Sequence, residues 1–158
     1  MADPLLEPFR LKHLTLKNRI ISTSHEPAYS EEALPKARYR LYHEEKAKGG
    51  VAMTMIGGSS IIAPDSPQAF GNLYVGSDTI IPWFRELSGA VHAHGAAVMC
   101  QITHLGRRTN WNKENWLPVV SASAVREPAH RAFPKVMEDF EIERIVKAYG
   151  AGARRHRP

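Results

Sequence analysis

The seven residues Gln101-Ile102-Thr103-His104-Leu105-Gly106-Arg107 follow the apolar stretch Ala96 to Cys100 and turn abruptly from hydrocarbon to amide, imidazole, glycine and guanidinium. A strand that stays apolar and then changes in this way carries its chemistry at its C-terminal end, where parallel α/β folds hold their ligands. The Gln101 amide offers a donor and an acceptor side by side, the complement of a flat imide edge such as a flavin or pyrimidine ring presents. A loop that turns polar on reaching solvent is the plainer reading, and the elements around the run must decide between them.

Those elements can be read from periodicity. Phe9 to Lys17 is a short alternating segment, and Asn18 to Ser24 reads as a first strand. Beyond Pro35, Ala37 to Ala47 is rich in good helix formers and stops at Gly49-Gly50. Val51 to Ile56 is a short apolar run closed by Gly57-Gly58, a second strand, and a loop with Pro64, Asp65 and Pro67 then extends to Ser77. Ile80, Phe84, Leu87 and Val91 form an amphipathic stripe, followed by a third strand over Ala96 to Gln101. The segment to about Arg131 is a loop too long to be only a connector. Ile142, Ile145, Val146, Tyr149 and Ala153 mark a last helix, begun by carboxylates that suit the positive end of its dipole.

The order β-α-β-α-β-α with apolar strands predicts an α/β chain built on a parallel sheet with right-handed crossovers. No Gly-x-Gly-x-x-Gly follows the first strand, which argues against a dinucleotide-binding Rossmann domain and favours part of a (β/α)8 barrel. With 43% hydrophobic and 23% charged residues among 158, the composition is that of a soluble, ordered chain. No apolar run approaches a membrane span and the N-terminus is unlike a signal peptide, so a cytoplasmic protein without a membrane partner is expected. The net charge of +5 comes from dispersed basic residues without interleaved aromatics, so nucleic acid is not an expected partner. Eight histidines lack metal-ligand spacing, and no metal site is expected. The one cysteine, Cys100, excludes an internal disulfide and, from its place in a strand, predicts a buried thiol.

Four pieces taken together resemble the old yellow enzyme family of flavin oxidoreductases, in its NADH:flavin oxidoreductase branch: Leu14 to Ile20, Gly49-Gly50-Val51 leading to Gly57-Gly58, Gln101 to Arg107, and Ser121 to Val125. Among its members the chain is most similar to the larger ones related to 2,4-dienoyl-CoA reductase, trimethylamine dehydrogenase and N-methylproline demethylase. The resemblance implies the first three βα units of a TIM barrel after a short N-terminal hairpin, within one partial FMN-binding domain over 1–158. It implies FMN contacts at Thr23, Ser24, His25, Gly58 and Gln101, and NADH or NADPH as reductant. Hydride would pass through flavin N5 to an activated alkene, or the flavin would oxidise an amine. His104 and Arg107 are expected to organise the loop rather than touch the cofactor.

Glu26 stands where relatives carry a cysteine or threonine that tunes the flavin or, in trimethylamine dehydrogenase, attaches it. A carboxylate cannot form that thioether, so FMN is expected to be noncovalent. An ionised Glu26 would disfavour the anionic reduced flavin and attract a cationic amine; the alternative is an exposed surface carboxylate. The family's strand-four substrate residues and its phosphate-binding loops have no counterpart here, and a lone cysteine cannot hold the iron–sulfur cluster of larger relatives. Arg154 to Pro158 is unlike the glycine and apolar strand expected next, so truncation or a frameshift near residue 155 is expected. The chain is therefore either the N-terminal part of such an oxidoreductase or a noncatalytic fragment, marginally stable and unable to retain FMN by itself.

Overall fold

A computed structural model describes residues 3–66, 68–69, 71–109, 117–129 and 131–156, and the surroundings of Gly58 and Ser59 lie outside that description. β1 (Phe9–Leu11) and β2 (Leu14–Leu16) pair as the expected antiparallel hairpin. β3 (Ile21–His25), β4 (Met53–Ile61) and β5 (Ala97–Thr103) form a parallel sheet in that order, connected by α1 (Ala37–Lys48) and α2 (Ile81–His92), and α3 (Asp139–Arg155) follows. No helix of the described residues is long and apolar enough to cross a membrane.

α1 buries Tyr39, His43 and Ala47, one residue per turn, and keeps its charged side outward with an Arg40–Glu44 pair at 3.1 Å. Gly50, at φ +99, ends it in a conformation other residues resist. α2 packs Phe84, Leu87 and Val91 on the sheet, with Ile80 just before it, as its stripe predicts. These side chains meet Ile56, Val98, Cys100 and Ile102 in the main core. The opposite face of the sheet carries Met99, 49% exposed, and Gln101.

Three expectations need correction. β4 does not stop at Gly57-Gly58 but runs on to Ile61, because the glycines lie in a bulge: Ile56 pairs with Cys100, yet the next partners are Ser60 and Ile102. α3 buries Glu141, Ile145 and Gly152, whereas Ile142 and Val146 of the expected stripe are exposed, Val146 at 64%. The long segment after β5 is not all loop, since β6 (Val120–Ser121) and β7 (Lys135–Val136) pair in parallel and Val119, Val120 and Ala132 are buried. Its Trp111 and Trp116 lie outside the described residues.

The two ends of the main sheet are held differently. At the N-terminal end, Asn18 donates to Gly50 O at 2.8 Å and accepts from Ile20 N–H at 3.0 Å, while Lys17 reaches His94 O at 2.8 Å. The Leu14 to Ile20 run is thus a set of stitches joining the hairpin, the start of β3 and the ends of α1 and α2. The C-terminal end carries the polar residues.

Candidate functional site

β3 ends in Thr23, Ser24 and His25, all exposed, and β5 brings Gln101 to the same end of the sheet. Ser24 Oγ donates to Gln101 Oε1 at 2.6 Å across the intervening strand. Strict alternation would put Ser24 on the side of Ser22, whose hydroxyl receives Lys46 Nζ from α1 at 2.9 Å. A register shift in β3 between Ser22 and His25 adds one residue and turns the Ser24 hydroxyl toward Gln101.

The approach of these strand ends depends on a glycine in β4. A Cβ at Gly57 would fall inside van der Waals contact of His25 N and Ser24 Oγ, and only 2.5 Å from Ser24 C. Sequence reasoning singled out Gly58, whose backbone continues β4 but whose surroundings lie outside the described residues. It missed Gly57. The signal was the glycine pair itself, because glycine inside an apolar strand marks a bulge or a close backbone approach as well as a stop.

The His25 ring lies 6.4 Å from that of Tyr42 on α1. Glu26 is neither an exposed carboxylate nor a fully ionised one. Its Oε1 accepts the Ala28 N–H at 2.9 Å, and its Oε2 is buried without a hydrogen-bond partner among the described residues. Burial pushes the carboxyl up to about 7, against a smaller pull downward from the Ala28 bond. Cys100 is partly buried beside Ser60 Oγ at 3.3 Å, and burial raises its thiol to about 12, which leaves it a poor nucleophile.

His104 points away from solvent, with its side chain 7% exposed and Nε2 3.3 Å from Asp65 Oδ1, itself 5% exposed. Arg144 of α3 grips both oxygens of Asp65. Burial alone would raise the Asp65 carboxyl, but His104 and Arg144 beside it outweigh that and hold it far below the usual carboxylate range. Arg107 Nη1 donates to Val125 O at 3.2 Å. Both residues thus have partners within the loops, in keeping with an organising role.

The family model for the NADH:flavin oxidoreductase / NADH oxidase family matches residues 4–158. The chain belongs to that family. It is 59% identical over 153 residues to a probable N-methylproline demethylase of Rhizobium meliloti (strain 1021), covering 97% of this chain and 23% of the relative. It is 50% identical over 156 residues to a multifunctional alkene reductase/demethylase of Caballeronia cordobensis, covering 99% and 23%. Among solved structures, morphinone reductase in complex with tetrahydroNAD superposes with a TM-score of 0.88 at 20% identity, over 98% of this chain and 46% of that one, a likeness of α/β fold. The chain therefore spans about a quarter of the length of these curated relatives.

Proposed function

We propose that the C-terminal ends of β3, β4 and β5 form one wall of a noncovalent FMN site in an NADH- or NADPH-dependent oxidoreductase, the three strands being the first βα units of a (β/α)8 barrel. The Ser24–Gln101 pair carries this reading: it fixes an amide at a strand end on the uncovered face of the sheet, beside a position where only glycine lets the backbone come close. A flat ring needs that arrangement, a polar edge reader next to a surface without side chains. Thr23, Ser24, His25, Gly58 and Gln101 would hold the ring, and Glu26 would lie just beyond it. Flavin bound there supplies two-electron redox chemistry, taking reducing equivalents from NADH or NADPH and giving them to an activated alkene, or taking them from an amine.

The names of the relatives, demethylases of N-methylated substrates among them, favour an amine, and a Glu26 carboxylate suits a cationic one. The exposed Met99, Ile142 and Val146 support a second reading beside it, in which these 158 residues alone are a noncatalytic part that cannot retain FMN. FMN titration followed through the Gln101 side-chain amide and the backbone amides of Ser24 and Gly57 in a nitrogen-15 spectrum tests the site: these signals move, and Gln101→Ala abolishes the response of the two backbone amides. A spectrum unchanged at millimolar FMN rejects the site. The purified chain should be colourless at the flavin bands and inactive with NADH and an enone; steady turnover would refute the second reading.

A further inference from the structure

We infer that His104 is a positioning residue, which together with Asp65 and Arg144 fixes the turn after β5 and through it the Gln101 amide; this rests on the flavin-edge reading above. Three successive backbone amides in that turn are each taken by a side chain. His104 N–H donates to the Tyr149 hydroxyl of α3 at 2.9 Å, Leu105 N–H to the buried Ser66 Oγ at 2.7 Å, and Gly106 N–H to His104 Nδ1 at 3.2 Å. Gly106 stands at φ +56, and Arg108 N–H closes the turn on Leu105 O at 3.0 Å. The turn starts three residues beyond Gln101, and the rung between them, Ile62 N–H on Thr103 O at 3.1 Å, ties it to the chain leaving β4.

The roles of the imidazole nitrogens follow from these partners. Nδ1 accepts an N–H and so carries no proton, which places the ring proton of the neutral form on Nε2, facing Asp65. The Gly106 N–H selects that tautomer; Nε2 lies 3.3 Å from Asp65 Oδ1 without a hydrogen bond among the described residues, and Arg144, gripping both oxygens of Asp65, holds that carboxylate in place. Buried charged groups of this kind add little net stability compared with apolar side chains of the same volume. What the cluster supplies is a unique geometry for a turn made of segments at Asp65, His104 and Arg144, the first and last of them 79 residues apart in sequence.

Two substitutions divide the imidazole's functions. Asparagine places its oxygen where Nδ1 stands and can still accept from Gly106; glutamine reaches the Nε2 position and can still meet Asp65 but leaves the Gly106 N–H without its acceptor. In the full chain, His104→Asn should keep the Gln101 side-chain signal in place and its FMN response within twofold of the parent. His104→Gln should shift that signal and weaken the response roughly fivefold, the loss of one hydrogen bond, with the same thermal midpoint as His104→Asn. Asp65→Asn, the independent check should His104→Gln fail to fold, removes the carboxylate that Arg144 grips and that faces Nε2, and should shift the Gln101 side-chain signal while Gly106 still holds Nδ1. Equal behaviour of the two His104 variants, or a Gln101 signal unmoved in Asp65→Asn, overturns the positioning role. If the parent itself ignores FMN, the flavin reading fails, while the position of the Gln101 signal in His104→Gln still decides this one.

Discussion

The two ends of the β3–β4–β5 sheet are made of the same three strands and do opposite things. At the N-terminal end every polar side chain named above has a backbone partner: Asn18 on Gly50 and Ile20, Lys17 on His94. At the C-terminal end the ladder is interrupted twice, Ser24 donates to Gln101 in the open, and Glu26 keeps a buried oxygen without a hydrogen-bond partner among the described residues. One end closes the fold, and the other stores irregularity and polarity where a ligand can use them.

Two glycines, one at each end, give the largest contrast. Gly50 is needed for its backbone angle alone, since a Cβ there would have nothing within 4 Å. Gly50→Ala should cost about 1 kcal/mol. Gly57 is needed for space against backbone atoms of Ser24 and His25, which cannot rotate away. Gly57→Ala should cost about 3 kcal/mol or more by forcing β3 from β4. Urea unfolding midpoints measure both, and equal losses would mean that the strand ends do not approach as closely as described.

Next in size is Asn18→Ala. It removes one bond to Gly50 O and another from Ile20 N–H, part-buried groups, at about 2 kcal/mol. Because the stitch lies at the far end, the Gln101 signal and its FMN response should stay where they are. A shift there would show that the two ends are not independent.

The pH dependence sharpens the comparison further. The Glu26 carboxyl rises from 4.5 to about 7 on folding because of burial, so it contributes stability at low pH that is lost as pH rises through about 7. His43, whose Nδ1 lies 2.7 Å from Thr54 Oγ1 and whose Nε2 is buried without a hydrogen-bond partner among the described residues, falls from 6.5 to about 4, chiefly through burial with a smaller push from Lys46. Its stability is present above 6.5 and lost as pH falls through about 4. Unfolding midpoints should therefore be highest between the two limits. The two windows overlap and oppose each other between 4.5 and 6.5, where the parent should be nearly flat. Glu26→Gln should expose the His43 rise, the unfolding midpoint climbing from about pH 4 to 6.5 with no decline toward 7, and a profile unchanged by the substitution would assign the Glu26 share to another group.

What could be read from the sequence divides along similar lines. The strands and helices were legible because their cause is local: the Phe84, Leu87 and Val91 stripe needs only its own spacing to predict α2. Gln101 and Ser24 were legible as types at strand ends. Their pairing depended on a one-residue shift in β3, which alternation predicts against. Gly57-Gly58 read as a stop because the bulge that absorbs it exists only against Cys100 and Ile102 of β5. The Asp65–Arg144 grip joins residues 79 apart, and no local pattern announces it. Ile142 and Val146 are apolar in sequence yet exposed among the described residues, so the stripe alone did not tell which face α3 buries.

The smallest effect on stability is also the one that tests the division of labour most directly. The Ser24–Gln101 bond is exposed, and water can replace either partner, so Ser24→Ala should cost about 0.5 kcal/mol or less. The same hydroxyl fixes which way the amide presents its donor and its acceptor, and without it both orientations become available to Gln101. The side-chain amide signal should therefore move or broaden while the unfolding midpoint stays nearly still, and the response to FMN should weaken roughly fivefold. Asn18→Ala, by contrast, should change the midpoint and leave the amide alone. If Ser24→Ala cost as much stability as Asn18→Ala and left the amide signal in place, the C-terminal end would be another structural seam, and Gln101 would lose its claim to read a ligand edge.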